Sequence, residues 1–410
     1  MKILYDSQSF DMQQSGGISR YFVEIIKNLP TEFSYSCSTG YSKNTYLVQS
    51  SLISLSDNVR KQKMDSFLPK LDFKGKGILH TLRNKVLYPN FVTNRERDIV
   101  SLKNQDFDVF HPTYYDPYFL DYIGNKPFVL TIHDMIHEKF PEMFCDIKTI
   151  ENKRLLAQKA AHIIAISEQT KNDIIDMLEI SAEKISVVYH GISALCDNIV
   201  NSSKNKYGRY FLFTGTRNIY KNFYFMLISL SDLFKKNPDV KLVCTSSDFN
   251  DFERQLIRHL GLENQVIHTF FETDAQMHEL YQNAVAFIFP SYYEGFGIPI
   301  LEAFEANCPC VLADASCFRE IAQNAALYFE PKNKTQLKNA LEKLLVEDSL
   351  RKRLIQKGKL RLKEFSWKKA AEQTALVYQT ALEKWKRGGG GITVMNFSEN
   401  LASSYTRIAS

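Results

Sequence analysis

Glycine, tryptophan and long apolar runs are all scarce in this 410-residue sequence. No run approaches the roughly 20 apolar residues that a bilayer span requires, so a membrane-crossing helix is not expected. The opening residues, MKILYDSQSF, reach an acid at Asp6 and lack the apolar stretch of a signal peptide, so secretion is not expected either. Seven cysteines are scattered from Cys37 to Cys317 without a C-x-x-C pair, and Cys308-Pro309-Cys310 is poorly spaced for zinc. Reduced thiols in a cytoplasm are therefore the expectation. Neither sign of charge dominates: 51 basic against 46 acidic residues leave +5, too balanced for a dedicated nucleic-acid binder. What is present is 44% apolar and 24% charged residues, a globular composition, over a length that calls for two to three domains.

Short apolar runs alternate with amphipathic stretches. Lys2–Tyr5, Phe107–His111, Phe128–Ile132, His162–Ile166 and Ile185–Tyr189 read as strands. Ile18–Leu29 has apolar residues at helical spacing, and Ser167 is placed to cap a helix running to Leu178. A polar segment at 201–207 is the best linker. A second strand series follows at Tyr210–Thr214, Val240–Cys244, Gln265–Thr269, Val285–Phe289, Pro309–Leu312 and Ala326–Phe329, with helices between. Strand, turn and helix in this order predict an α/β protein: two Rossmann-like domains, 1–204 and 205–366, facing across a cleft. A final helix at 367–387 and a Gly-rich tail at 388–410, excluded from the fold, complete the chain. Residues 60–103 break the alternation with eleven Lys or Arg against four Asp or Glu, interleaved with apolar residues. Such a segment suits an anionic membrane surface, and equally an ordinary solvated insertion.

The strongest local signal is Glu294-Gly295-Phe296-Gly297-Ile298-Pro299-Ile300-Leu301-Glu302. A glycine-bearing loop after a strand leads into a helix whose first turn tolerates Pro299, leaving the amides of Phe296, Gly297 and Ile298 aimed at an anion, most naturally a phosphate. Glu294 lies before that helix and Glu302 inside it, so the two carboxylates serve different parts of a ligand. After the first strand of the second domain, Arg217 and Lys221 stand four apart at an expected helix start, a fork and a point charge suited to one diphosphate. In the first domain Ser15-Gly16-Gly17-Ile18 closes a loop after a strand but is not G-x-G-x-x-G, which disfavours a nicotinamide dinucleotide. His133-Asp134 ends a strand, where the imidazole can meet a ligand hydroxyl; pairing His133 with His137 as a zinc site lacks a common helix face. His190-Gly191 reads as a turn, His111 is ambiguous, and Glu320 reads as the cap of the next helix.

In order and spacing, Gly16-Gly17, His133-Asp134, Ser167, Val188-Tyr189-His190-Gly191, Gly215 with Arg217 and Lys221, the Glu-x7-Glu stretch and Phe365-Ser366-Trp367 resemble the family-4 retaining glycosyltransferases of GT-B fold. The resemblance covers about residues 1–386 and leaves out the basic segment and the tail. It implies a nucleoside-diphosphate sugar as donor, held mainly by the second domain. Arg217 and Lys221 would neutralise the departing diphosphate, Glu294 would meet the transferred sugar and Glu302 the ribose. His133 would lie against the sugar, Gly16 and Gly17 would allow close backbone approach, and the last helix would cross back onto the first domain. It further implies transfer of a hexose with retention, to a glycan or lipid-linked acceptor in bacterial surface polysaccharide assembly. No Asp-x-Asp motif sits in a suitable loop, so neither metal nor other cofactor is expected. The expected location is cytoplasmic, with peripheral membrane contact through 60–103 and no nucleic-acid partner. A sugar-nucleotide 2-epimerase and an inactive sugar-nucleotide-binding protein are the rival readings.

Overall fold

Runs of four or five buried apolar residues form parallel strands covered on both faces, because only a strand hidden on both sides gains from being apolar throughout. The structure is a computed structural model that describes residues 1–66, 76–88, 91–192 and 205–388. The first six strands are β1 (Lys2–Tyr5), β2 (Ser34–Cys37), β3 (Val109–His111), β4 (Val129–Ile132), β5 (His162–Ala165) and β6 (Ile185–Val187). They pair in parallel as 2-1-3 and 4-5-6, and the bridge between Phe110 and Phe128 joins these into one order, 2-1-3-4-5-6. A second parallel sheet holds β7 (Arg209–Phe213), β8 (Val240–Cys244), β9 (Val266–His268), β10 (Ala286–Phe289), β11 (Cys310–Ala313) and β12 (Ala326–Phe329) in the order 12-11-10-7-8-9. Strand order reverses beside β1 in one sheet and beside β7 in the other. Ligands of open α/β sheets bind outside the carboxyl ends of the strands at such reversals. The loops that follow β1, β4, β7 and β10 carry the candidate site residues.

The strand expected at each apolar run is present to within two residues at either end. β2 was not expected: Ser-Tyr-Ser-Cys is an edge strand, half-buried and polar, so no apolar run announces it. The second unit has one continuous core of buried aliphatic and aromatic side chains; the first has one core on each face of its sheet. The helix Trp367–Arg387 lays Trp367, Ala370, Ala371, Ala375, Tyr378 and Ala381 onto the first unit, so the chain does cross back. Tyr378 Oη is 2.8 Å from Tyr5 Oη and 2.7 Å from His111 Nδ1, while His111 Nε2 is 2.9 Å from Thr131 Oγ1. Burial, aided by the charge His133 would carry, holds the His111 imidazole down to about 3. His111 is thus a neutral structural link. The crossing also depends on Gly191, where a Cβ would sit 2.5 Å from the Ser366 carbonyl carbon and 2.6 Å from Trp367 Cα.

The expected linker falls largely, and the Gly-rich tail almost wholly, outside the described residues. Among the described residues no helix is long and apolar enough to cross a membrane. Of the basic segment, the helices Asn58–Asp65, Lys76–Leu87 and Asn94–Asn104 are described.

Candidate active site

On the second unit, the loop after β10 brings Tyr293, Glu294, Gly295 and Phe296 to the helix Ile298–Glu305. Gly297 is its N-cap at φ +92°, a left-handed conformation that glycine adopts without strain, and Pro299 stands in the first turn. The amides of Phe296, Gly297 and Ile298 bond to no acceptor among the described residues. The Phe296 ring is otherwise occupied, stacked on His190 of the first unit at 4.9 Å between centroids. Lys221 Nζ donates to Glu294 Oε1 at 2.5 Å, with 14% and 12% of the two side chains exposed. Burial works against the Lys221 charge, but Glu294, with Tyr220 and Asp134, outweighs it and raises the ammonium above its ordinary value. A charged lysine therefore waits at the mouth of a helix, held by the carboxylate before it. Farther along the helix, Tyr281 Oη donates to Glu302 Oε2 at 3.2 Å, and burial raises the Glu302 carboxyl against the opposing pull of Arg20.

Arg217 does not join Lys221. Its Nε–H donates to Glu253 Oε1 at 2.8 Å, and its terminal nitrogens donate to the carbonyls of Thr245, Ser247 and Asp248. Its side chain is 3% exposed and Glu253's is 2%. The expected convergence set Arg217 and Lys221 on either side of a helix start, but the α-helix begins beyond both. Gly215 at φ +102° turns the chain after β7, a 3₁₀ turn covers only Ile219–Lys221, and the helix begins at Phe223. Four residues apart on such a path, the two cations face different ways.

On the first unit, Gly16 caps the helix Gly17–Lys27, and a Cβ at Gly17 would touch Ile298 Cδ1 at 4.0 Å. Two helix N-termini, one from each unit, thus face each other. His133 follows β4, 7% exposed, with its amide donating to Tyr115 Oη and its Nε2 without a partner among the described residues. Burial, aided by Lys153 and opposed by Asp134, lowers its imidazole to about 4, so it is neutral at pH 7. His190, expected to be a plain turn residue, is 2% exposed among Tyr21, His133, Phe296 and Trp367, with both ring nitrogens unpartnered.

The units meet in a closed arrangement. The Gly295 carbonyl accepts from Ser167 Oγ at 2.7 Å and Thr170 Oγ1 at 3.2 Å, at the head of the helix Glu168–Leu178. Tyr293 Oη donates to Asp173 Oδ2 at 2.7 Å and accepts from the Met135 amide at 3.2 Å. Glu320 is a cap, but across the cleft: its carboxylate accepts from the amides of Glu168 and Gln169. Phe140 stacks on Tyr220 at 6.0 Å. Gly295 makes this approach feasible, since a Cβ there would fall inside the van der Waals surface of the His133 carbonyl oxygen and 3.1 Å from Asp134 Cβ. The structure thus brings Gly17, His133, Lys221, Glu294, Gly297, Ile298 and Glu302 to one cleft and leaves Arg217 out. It adds Arg20, Ser167, Thr170, His190 and Tyr281. Arg20 had a signal in the sequence, being one helical turn past the glycine pair.

Two family models match the chain in tandem: "Glycosyltransferase Family 4" over residues 75–194 and "Glycosyl transferases group 1" over 197–361. The chain is a family-4 glycosyltransferase. Among curated relatives, the O-antigen chain mannosyltransferase RfbU of Salmonella typhimurium is 28% identical over 218 residues, spanning 52% of this chain and 60% of that protein. The O-antigen chain mannosyltransferase B of Escherichia coli is 23% identical over 395 residues, spanning 92% of this chain and 100% of its own. Among solved structures, Anabaena Alr3699/HepE with UDP and glucose superposes with a TM-score of 0.66 at 19% identity, over 92% of this glycosyltransferase and 99% of that chain. Sucrose-phosphate synthase of Thermosynechococcus elongatus gives 0.65 at 14% identity, over 93% and 99%. At these identities the likeness is one of fold, and that fold is GT-B.

Proposed function

We propose that this glycosyltransferase moves a hexose from a nucleoside-diphosphate sugar to a glycan or lipid-linked acceptor of a surface polysaccharide, with retention and without a metal. The observation that carries the reading is the Lys221–Glu294 pair at 2.5 Å, set beside free helix amides and opposite the Gly16-Gly17 loop. A leaving diphosphate gathers negative charge as the sugar departs, and preorganised donors aimed at that charge lower the barrier. Lys221 and the amides of Gly297 and Ile298 supply them without a metal ion. Glu294, displaced from Lys221 by phosphate, is left to accept from hydroxyls of the transferred ring. No carboxylate is proposed as a covalent nucleophile, so the acceptor attacks on the face the diphosphate leaves. Mannose is the favoured sugar because the O-antigen relatives are named mannosyltransferases, and one further relative is named for GDP-mannose.

The acceptor side is proposed to be a groove of about 600 Å³ in the first unit, walled by Met12, Gln13, Gln14, Tyr41, Asn44 and Gln62 beside the glycine loop. Its amides and the Tyr41 ring suit sugar hydroxyls and sugar faces. The basic segment is proposed to rest on the anionic inner face of a membrane, because Leu79, Val86, Leu87 and Val100 are exposed among its cations. Co-sedimentation with anionic vesicles at low salt, lost at high salt, tests this; no pelleting at low salt overturns it. The reaction is tested by incubating the protein with GDP-mannose, UDP-glucose and other donors, with and without EDTA. Slow release of nucleoside diphosphate that EDTA does not suppress supports the reading, and an α-linked product from an α-linked donor supports retention. Interconversion of the sugar without diphosphate release would mark an epimerase instead.

A further inference from the structure

Three cationic side chains are about nine-tenths or more buried among the described residues: Arg20, Lys153 and Arg217. Two are fully engaged. Lys153 donates to Glu138 Oε2 at 2.9 Å and to the Asp134 carbonyl at 3.0 Å, and Arg217 has Glu253 and three carbonyls. Among the described residues the Arg20 guanidinium, with five N–H donors, makes no hydrogen bond. The carboxylate it faces, Glu302 across the cleft, is 3.7 Å away, too far for one, and the guanidinium also lies over the Tyr46 ring at 5.7 Å. Mostly buried but still reached by solvent at the cleft, the guanidinium has its donors open to an arriving anion.

Its surroundings want the same thing. Burial, then His133 and the nearby Arg20 charge, keep the His190 ring neutral, and both its nitrogens and His133 Nε2 are buried without a partner among the described residues. Arg20 sits in the first turn of Gly17–Lys27, the helix whose start faces Ile298. Meanwhile the charge count on the other wall is short: Lys221 is half offset by Glu294, and Arg217 is spent inside the second unit.

We propose that Arg20 is the second cation of the phosphate site, turning from Glu302 to the diphosphate oxygens when the nucleoside-diphosphate sugar binds. The inference rests on the glycosyltransferase reading above. Arg20 supplies the planar fork that Arg217 does not, and it does so from the first unit, so the diphosphate itself bridges the two halves of the cleft. Release of Arg20 leaves Glu302, still held by Tyr281, able to accept from a ligand hydroxyl.

The test is calorimetric titration of the full chain with GDP and with UDP, in the wild type, Arg20→Gln and Arg20→Lys, with inorganic pyrophosphate as competitor. The nucleotide that binds the wild type should bind Arg20→Gln about 10- to 100-fold more weakly, the loss expected for a charge-assisted contact. Arg20→Lys should fall between, keeping charge but not the fork. Pyrophosphate competition should weaken in parallel, which places the loss at the phosphates rather than the base. Unchanged affinity in a folded Arg20→Gln overturns the proposal. So does unchanged nucleotide affinity with a raised KM for a phosphate-bearing acceptor, which would assign Arg20 to that phosphate instead. If Arg20→Gln fails to fold by its melting curve, Arg20→Lys decides, with affinity equal to the wild type as the overturning result. A wild type that binds neither nucleotide would fail the proposed function itself, a separate outcome from any of these.

Discussion

Replacing Gly295 by alanine tests the closed cleft with one methyl group. The added Cβ would overlap the His133 carbonyl oxygen and stand 3.0 Å from its carbonyl carbon and 3.1 Å from Asp134 Cβ. All of these belong to the backbone or the root of a side chain, so no rotamer change relieves them. The two units must part by more than about 1 Å at this point, and misplacements of that size cost about 100-fold where reacting groups are held by geometry. The same parting stretches the bonds from Ser167 Oγ and Thr170 Oγ1 to the Gly295 carbonyl, now 2.7 Å and 3.2 Å, beyond useful length. Neither core is touched, since the contact lies between the units and Gly295 has no positive φ to strain. The expected result is a fall in kcat/KM of about two orders of magnitude, measured by nucleoside diphosphate release, with a melting curve close to the wild type. A raised radius of gyration in small-angle scattering should accompany it. Full turnover in Gly295→Ala would refute the argument that catalysis requires this approach.

Lys221→Ala should lower turnover by at least about two orders of magnitude. It should also shift the urea midpoint down, because Glu294 is left largely buried without its partner; Lys221→Met with Glu294→Gln should restore the midpoint and not the activity. An unchanged midpoint in the single variant would count against the buried pair. Arg217→Met should behave oppositely to an active-site variant. Breaking its buried pair with Glu253 costs about 3–5 kcal/mol in a chemical melt, while the donor KM of the remaining folded enzyme stays near wild type. A stable Arg217→Met that has lost donor affinity would show the residue belongs to the ligand after all. His133 has its folded value depressed from 6.5 to about 4, chiefly by burial. Unfolded chains therefore bind its proton first, so the stability of the neutral ring is complete above about pH 6.5 and is lost as pH falls toward 4. His133→Gln should narrow the stability gap between pH 7 and pH 5, and a titration near 6.5 for the His133 ring by NMR would contradict its burial.

Most of the fold was legible because buried parallel strands and amphipathic helices leave their periods in the sequence. Lys2–Tyr5, Val240–Cys244 and Ala326–Phe329 fall where their apolar runs lie. The N-terminus of Ile298–Glu305 was legible for a local reason: Gly297 and Pro299 each have few places to stand. Direction was not legible. Arg217 and Lys221 were paired by spacing, and spacing fixes a common face only inside regular structure. Contacts between the units were invisible as well. Ser167 reads as a cap, and it is one, accepting from the Thr170 amide at 3.0 Å. That the same hydroxyl donates to Gly295, 128 residues away, follows from packing and leaves no local pattern.

The closed arrangement is made of few groups, and their character bears on how it opens. Across the cleft run hydrogen bonds to Gly295, Tyr293 and Glu320, the distant Arg20–Glu302 pair, and ring contacts such as His190–Phe296 and Phe140–Tyr220. Hydrogen bonds exchanged for water contribute about 1 kcal/mol each, and the apolar packing across the seam is local, with Ile166 against the core of the second unit and Tyr293 in one core of the first. A GT-B enzyme has to admit a donor and release a diphosphate through this seam, which a continuous apolar core between the units would prevent. The trade is visible in Gly295 itself. Its missing side chain buys proximity without adding apolar contact, so the halves can meet closely enough for chemistry and still separate at modest cost.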